Sequence, residues 1–393
     1  MKAIMVGAGN IGRGFIGATL AQSGYAVTFI DISQEVVDYL NEKHSYPLRL
    51  VSNEEMKELE ITGVDAIHGE NSEEVATAIS KTDLLAISVG TKALPIIAPN
   101  IAEGIKRRFK RTEAPLNLFL CENLVDVKQV MEALLKKYLN AEEQSLFDER
   151  IGLVTASIGR MVPIQTEKMQ EGNPMRVCVE PYDALPVDGE AIKGEVPPIN
   201  KLIPYSPFDF YLKRKLYVHN LGHAVCAYLG MFEGKTFIDE AIEEPIIYQM
   251  TRMAMMESGR ALALAFDVSR EEILRNIDDL LQRFANRALG DTCARVGGDP
   301  GRKLAPKDRL IGAAVFCESH GVSYDGIAVG VAAAIYHYIG EKEEIQRDEN
   351  ARQILQELCQ TEQECCLEEK VMKFYAMLRR GFRLYEVHQR VLG

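Results

Sequence analysis

Lys2-Ala3-Ile4-Met5-Val6-Gly7-Ala8-Gly9-Asn10-Ile11-Gly12 runs an apolar strand directly into a turn with glycine at its first, third and sixth positions. In a strand-turn-helix that cradles phosphate, the first glycine makes the tight turn, the second lets backbone approach a pyrophosphate, and the third lets helix pack on strand. Gly7, Gly9 and Gly12 fit those roles, with Ala8, Asn10 and Ile11 completing the cradle. Beyond it, Ile11, Phe15, Ile16, Leu20 and Ala21 recur at helical spacing until Gly24 ends the helix. The start of that helix offers free N–H groups and the positive end of its dipole to an anion. A second apolar run, Tyr25 to Ile30, then delivers Asp31, nineteen residues after Gly12. A carboxylate there binds the adenosine ribose hydroxyls and repels the extra phosphate of NADP, so the cofactor reading is NAD. The plainer alternative is a glycine-rich turn between an ordinary strand and helix, with Asp31 a solvated acid. Arg13 could touch a phosphate, but a helix-surface arginine is the more frequent case.

The pattern continues outward. Ser33 is a plausible cap for a helix through Lys43, and strand-like runs recur at Leu84 to Val89 and Leu116 to Cys121. Apolar strands separated by helices predict a parallel sheet covered on both faces. Ligands bind beyond the carboxyl ends of such strands, which singles out Val89, Gly90, Thr91, Glu122 and Asn123. From Ile151 to Pro198 short β-branched pieces such as Val177-Cys178-Val179 lie among glycines and prolines, and Pro197-Pro198 marks a hinge. Further on the spacing is helical, near 207–229, 239–266, 270–286, 307–320 and 326–339, with a charged helical stretch over 342–391. The predicted fold is α/β: a Rossmann-type parallel-sheet domain over 1–197, then a mostly α-helical domain over 198–393. Met250, Met253 and Met256 read as core filling or a domain seam. The glutamate runs near the end read as solvated faces.

With 393 residues, 47% of them hydrophobic, the chain is long enough for two cores. The net charge of −12 gives no reason to expect nucleic acid or an anionic membrane as partner. An anionic substrate therefore needs a local cationic pocket. The eight cysteines show no C-x-x-C pair and read as reduced thiols of a cytoplasmic protein, Cys365-Cys366 being two faces of one helix. A first strand starting at Lys2 leaves no room for a signal peptide. The longest apolar stretch, Gly326 to Ile339, suits a buried helix and is too short to span a membrane. Oligomeric state, monomer or small homo-oligomer, is left open.

Chemistry concentrates in Lys215-Leu216-Tyr217-Val218-His219-Asn220-Leu221-Gly222-His223. On a helix, Lys215, Asn220 and His223 can share a broad face. Oxidising a secondary alcohol needs a base for the hydroxyl proton, donors for the developing alkoxide and a hydride acceptor nearby. A desolvated lysine can be that base, asparagine a neutral donor, and histidine can orient a hydroxyl. Spacing alone leaves equally open that these are surface, cap and core residues.

The chain resembles the polyol-specific long-chain dehydrogenases, and within them the branch that acts on mannitol 1-phosphate. The likeness rests on Gly7 to Gly17, His44-Ser45-Tyr46, Ile97-Ala98-Pro99, Cys121-Glu122-Asn123, Lys215-x4-Asn220-x-Gly222-His223, Arg295-Val296-Gly297, Pro300, Arg302-Lys303-Leu304 and Asp308 to Ile311. It extends to about residue 335. The resemblance implies Lys215 as general base, Asn220 and Asn123 as oxyanion donors, His223 orienting the substrate, and no metal. The implied reaction interconverts D-mannitol 1-phosphate and D-fructose 6-phosphate with NAD. Departures are visible. Gly159-Arg160-Met161-Val162-Pro163 lacks the aspartate usual before the arginine, His219 and Leu221 replace an apolar residue and a threonine, and Arg283 to Arg287 replaces an Arg-Phe-Glu-Asn-Pro pattern.

Arg295, Arg302, Lys303 and Arg309 form a cationic cluster. They either hold the substrate phosphate or make salt bridges that fix the loop after Pro300. Three other readings therefore stand beside the main one. They are a sister enzyme acting on a free polyol or hexuronate, a catalytically impaired protein binding NAD or a sugar phosphate, and a helical scaffold built on the last fifty residues.

Overall fold

The computed structural model describes residues 1–124, 126–342, 345–361 and 365–392. They divide into two compact units, Met1–Asp209 and Phe210–Gly393. Part of the expectation about glutamate runs falls on Glu343, Glu344, Glu362 and Glu364, which lie outside the described residues.

The first unit holds strands β1 (Lys2–Val6), β2 (Ala26–Asp31), β3 (Ser45–Val51), β4 (Met56–Thr62), β5 (Val64–His68), β6 (Leu84–Ile87), β7 (Leu116–Leu120), β8 (Ile151–Thr155), β9 (Val177–Val179), β10 (Leu185–Asp188) and β11 (Leu202–Tyr205). Six of them make one sheet in the order β5-β2-β1-β6-β7-β8, parallel throughout. The order reverses at β1, where a dinucleotide crevice forms in such sheets. Alternation along each strand feeds two cores: Met5 and Phe29 point to one face, Ile4, Val6, Leu85 and Ile87 to the other.

Three features depart from the expected pattern. β3 and β4 pair as an antiparallel hairpin over Ser45–Thr62, and β9 adds to it in parallel. β10 and β11 pair in parallel, while Asn200 bonds to Ser23 Oγ and to the carbonyl of Gln22. Those links tie the segment after Pro198 to the first unit, so the division falls after Asp209 rather than at the proline pair. Ser33 precedes the helix Gln34–Lys43 but makes no side-chain cap bond; its own N–H donates to Asp31 instead.

The second unit is helical. The helix Asp209–Arg214 leads into a π turn, Lys215–Asn220, and then the helix Leu221–Phe232. The predicted helix over 239–266 is two, Ile238–Glu243 and Pro245–Phe266, because Pro245 restricts Glu244 to extended backbone and starts the second one. Leu221–Phe232 is nearly all buried, and glycines let its neighbours close in. A Cβ on Gly222 would lie 2.5 Å from Met255 Sδ, and one on Gly330 would lie 2.6 Å from Val225. Met250 is buried in this unit, whereas Met253 and Met256 are half-buried. Cys365 and Cys366 occupy the start of the helix Cys366–Arg379, the first half-buried and the second exposed, and both are free thiols. No helix among the described residues is long and apolar enough to cross a membrane.

Candidate active site

Within the first unit, the glycine turn has the shape its sequence implied. Gly7 sits at φ +98°, left-handed backbone that favours glycine, and its N–H donates to the carbonyl of Ile30 at 2.8 Å. A Cβ on Gly12 would stand 1.9 Å from the Gly7 carbonyl oxygen, so that turn closes on the helix only without a side chain. Gly9 differs. A Cβ there would meet no protein atom within 4 Å, and Gly9 and Asn10 are both exposed. Its missing side chain leaves open space above backbone, the surface on which a pyrophosphate would rest. Ala8 is buried and Ile11 half-buried beneath. The helix begins with a π turn, Gly12–Ile16, closed by the bond from Gly17 N–H to the Gly12 carbonyl.

Asp31 is held rather than loose. Its Oδ2 accepts the N–H of Ala8 at 2.7 Å and its Oδ1 that of Ser33 at 3.0 Å. Each oxygen keeps a second lone pair for a ribose hydroxyl. Arg13 is buried, not a surface residue. Its Nε donates to the Ala8 carbonyl and its Nη1 to the Met175 carbonyl, both at 2.6 Å, while the Tyr46 hydroxyl donates to its own carbonyl at 2.7 Å. Burial lowers its pKa, but it remains a cation that braces the turn from below.

At the carboxyl ends of β6 and β7, Val89 N–H and Gly90 N–H both donate to Glu122 Oε1, at 2.6 and 2.9 Å. Gly90 has φ +85°, Glu122 is buried and Asn123 is exposed. In the segment lacking the family aspartate, the Tyr182 ring covers Gly159, 3.0 Å from where a Cβ would lie. Glu180 supplies a buried carboxylate there, accepting Met161 N–H at 2.5 Å.

In the second unit the lysine motif straddles the π turn. An α-helix would set residues five apart about 140° from each other around the axis, whereas the wider i→i+5 turn brings them toward one face. Lys215 and Asn220, both half-buried, are the two ends of that turn. His223 follows one turn on. Its ring stacks on Phe284 with centroids 4.7 Å apart and planes 10° from parallel. Its Nε2 is buried without a hydrogen-bond partner among the described residues, 3.6 Å from Asp291 Oδ2. Burial, with Arg295, Arg309 and Arg283 adding and Asp291 opposing, pushes His223 down to about 4. His219 is held well below the ordinary histidine range by burial, then by Arg283, His223, Lys215 and Arg309. Both imidazoles are therefore neutral at pH 7, and His223 keeps one nitrogen for a hydroxyl.

The cationic cluster is unevenly committed. Arg295 forms a bidentate ion pair with Asp291, Arg302 pairs with Asp299 at 2.9 Å and with Asp308 at 3.4 Å, and Arg309 pairs with Asp308 at 2.7 Å. Lys303 is only 4% exposed and has no carboxylate within ion-pair distance among the described residues. Burial, with Arg309 and Arg302 nearby, lowers its pKa to about 8. Sequence reading gave no sign of Phe284 as a stacking platform, of Asp291 beside His223, or of Glu122 as a latch. Each depends on a partner distant in sequence.

The chain matches the family model described as the mannitol dehydrogenase Rossmann domain over residues 1–201, and that of the mannitol dehydrogenase C-terminal domain over 208–380. It is 37% identical to the mannitol-1-phosphate 5-dehydrogenase of Brevibacillus brevis over 335 residues, covering 85% of this chain and 86% of that protein. With the Bacillus subtilis protein of the same name it shares 35% over 367 residues, 91% and 95% of the two chains. Among solved structures, the ternary complex of Pseudomonas fluorescens mannitol 2-dehydrogenase with NAD and D-mannitol gives a TM-score of 0.78 at 14% identity, covering 100% of this chain and 94% of that one. A substrate-free D-sorbitol dehydrogenase gives 0.80 at 13%, covering 98% and 94%. At such identities the likeness speaks for the fold.

Proposed function

The chain belongs to the mannitol dehydrogenase family, and from that premise we propose that it is an NAD-dependent dehydrogenase interconverting D-mannitol 1-phosphate and D-fructose 6-phosphate. The observation that carries the reading is the π turn that spans Lys215 and Asn220, followed by a neutral His223 whose Nε2 is unbonded among the described residues. Gly7, Gly9 and Gly12 with Asp31 suit a dinucleotide lacking a 2′-phosphate, and its oxidised nicotinamide supplies the hydride acceptor. In polyol oxidation, Lys215 in its free-amine form takes the proton of the reacting hydroxyl as the carbinol C–H bond breaks. Asn220 and Asn123 donate to the oxygen while it carries negative charge. His223, backed by Phe284, orients a neighbouring hydroxyl, and ketose reduction reverses each step.

The phosphate reading rests on Lys303, a buried ammonium without a carboxylate partner among the described residues, beside Arg302 and Arg309. Arginines already paired to Asp291, Asp299 and Asp308 favour a second reading, a free polyol or hexuronate as substrate. Following NADH absorbance with fructose 6-phosphate, fructose and fructuronate separates the two. Turnover of fructose 6-phosphate well above the others supports the phosphate reading. Tight NADH binding with no turnover of any ketose would leave only a binding protein. The free thiols, six of them buried, accord with a reducing cytoplasmic setting.

A further inference from the structure

Glu122 is the residue at the sheet's carboxyl edge that the chemistry above leaves without a task. One oxygen of its carboxylate accepts two consecutive amides, Val89 N–H at 2.6 Å and Gly90 N–H at 2.9 Å. The residue is 8% exposed, and among the described residues it pairs with no cation. A latch between two loops needs only a carbonyl oxygen, which glutamine supplies without the desolvation cost of a charge. The carboxylate therefore offers something the latch does not use: its charge, and an Oε2 with no hydrogen bond among the described residues.

Topology says what lies nearby. In a sheet of this order, the half containing β1, β2 and β5 takes the adenosine, as Asp31 at the end of β2 indicates. The other half, β6, β7 and β8, takes the second nucleotide, and Glu122 stands just beyond β7 with Val89 and Gly90 just beyond β6. The nicotinamide ring is cationic when oxidised and neutral when reduced. We propose that Glu122 is a positioning residue that discriminates between the two states, its carboxylate favouring the oxidised cofactor while its bonds to Val89 and Gly90 hold the loop that receives it. The inference rests on the dinucleotide reading given above.

A unit charge acting on another over roughly 10 Å, at an effective dielectric constant of about 20, shifts an equilibrium by about ten-fold. The test is calorimetric titration of the full chain with NAD⁺ and with NADH, no substrate present. In Glu122→Gln, which keeps an oxygen for both amides, the Kd for NAD⁺ is expected to rise about ten-fold while that for NADH moves less than two-fold. Asn123→Asp, adding a carboxylate at the exposed neighbour, is expected to shift the ratio the other way. Glu122→Ala, losing latch and charge together, is expected to weaken both forms. A ratio unchanged in Glu122→Gln and Asn123→Asp overturns the proposal while leaving the cofactor reading intact. Wild-type protein that binds neither dinucleotide overturns both.

Discussion

Gly9→Ala separates folding from cofactor binding more cleanly than any other change in the glycine turn. The added methyl meets no protein atom within 4 Å, and Gly9 does not sit in left-handed backbone. The folded state thus loses nothing, and the unfolded chain loses some of glycine's freedom, a gain of about 0.4–1 kcal/mol in stability. Gly12→Ala is the contrast, because its methyl would lie 1.9 Å from a backbone oxygen and the turn must open. For a dinucleotide, the Gly9 methyl stands where pyrophosphate oxygens approach the amides. Losing one charge-assisted bond at ~1.5–3 kcal/mol removes roughly 10- to 150-fold in affinity. The chain has no tryptophan, so binding is read from NADH emission or calorimetry, beside a thermal melt of the same samples. A Gly9→Ala protein that melts at or above the wild-type temperature and binds NADH within three-fold of wild type would refute the placement of the cofactor on this turn.

Lys215→Ala should lower kcat by about 10²–10⁴ with dinucleotide affinity unchanged, the range expected for a lost general base; near-normal turnover removes Lys215 from the mechanism. Lys303→Met should raise KM for fructose 6-phosphate at least about ten-fold and leave turnover of free fructose alone, as a point charge on phosphate predicts. Because Lys303 titrates near 8 and binds phosphate as the cation, KM for the phosphorylated ketose in wild type should climb as pH rises through about 8, and Lys303→Met should abolish that climb. Glu257, buried with its oxygens accepting Gly326 and Ile327 N–H at 2.9 and 3.0 Å, has its pKa raised from 4.5 to about 7, chiefly by burial. Its folded state binds the proton more tightly than the unfolded chain, so its stabilising contribution is complete below 4.5 and lost as pH rises through about 7. The melting temperature should fall across that window, by an amount worth roughly 3 kcal/mol at most, and Glu257→Gln should flatten the profile.

The glycine turn and Asp31 were readable from the chain because close approach and strand-end chemistry allow few residue types at fixed intervals. The parallel sheet was readable for a similar reason, since strands buried on both faces stay apolar throughout. The Ser45–Thr62 hairpin was harder. Met56-Lys57-Glu58-Leu59-Glu60-Ile61-Thr62 has mostly exposed positions and little apolar signal, and its place depends on pairing with β3 rather than on its own pattern. Arg13 was misread because a helix-surface position and a buried one look alike until the carbonyls of Ala8 and Met175 are known. The domain boundary moved because two prolines signal a bend, while parallel pairing of β10 with β11 decides which side of the bend the chain belongs to. Local composition could show that Arg295, Lys303 and Arg309 are cations. Which of them already hold carboxylates is a property of the folded loop, and Lys303 stands out only there.

Among the described residues, the two π turns fall at Gly12–Ile16 and at Lys215–Asn220, one beside each set of candidate site residues. A wide turn in an otherwise regular helix amounts to one inserted residue. Excising a residue from Lys215–Asn220 would keep the flanking coils in phase with each other, so the apolar seam of Leu221–Phe232 would go on meshing with its neighbours. What would change is the spacing of the amine and the amide, from five residues across a wide turn to four in a regular coil, about 40° around the axis. Chemistry and architecture are thereby decoupled at this point in the chain: a single insertion or loss can retune the one while the other persists, which makes this stretch a natural place for descent to have converted a plain helix into an instrument.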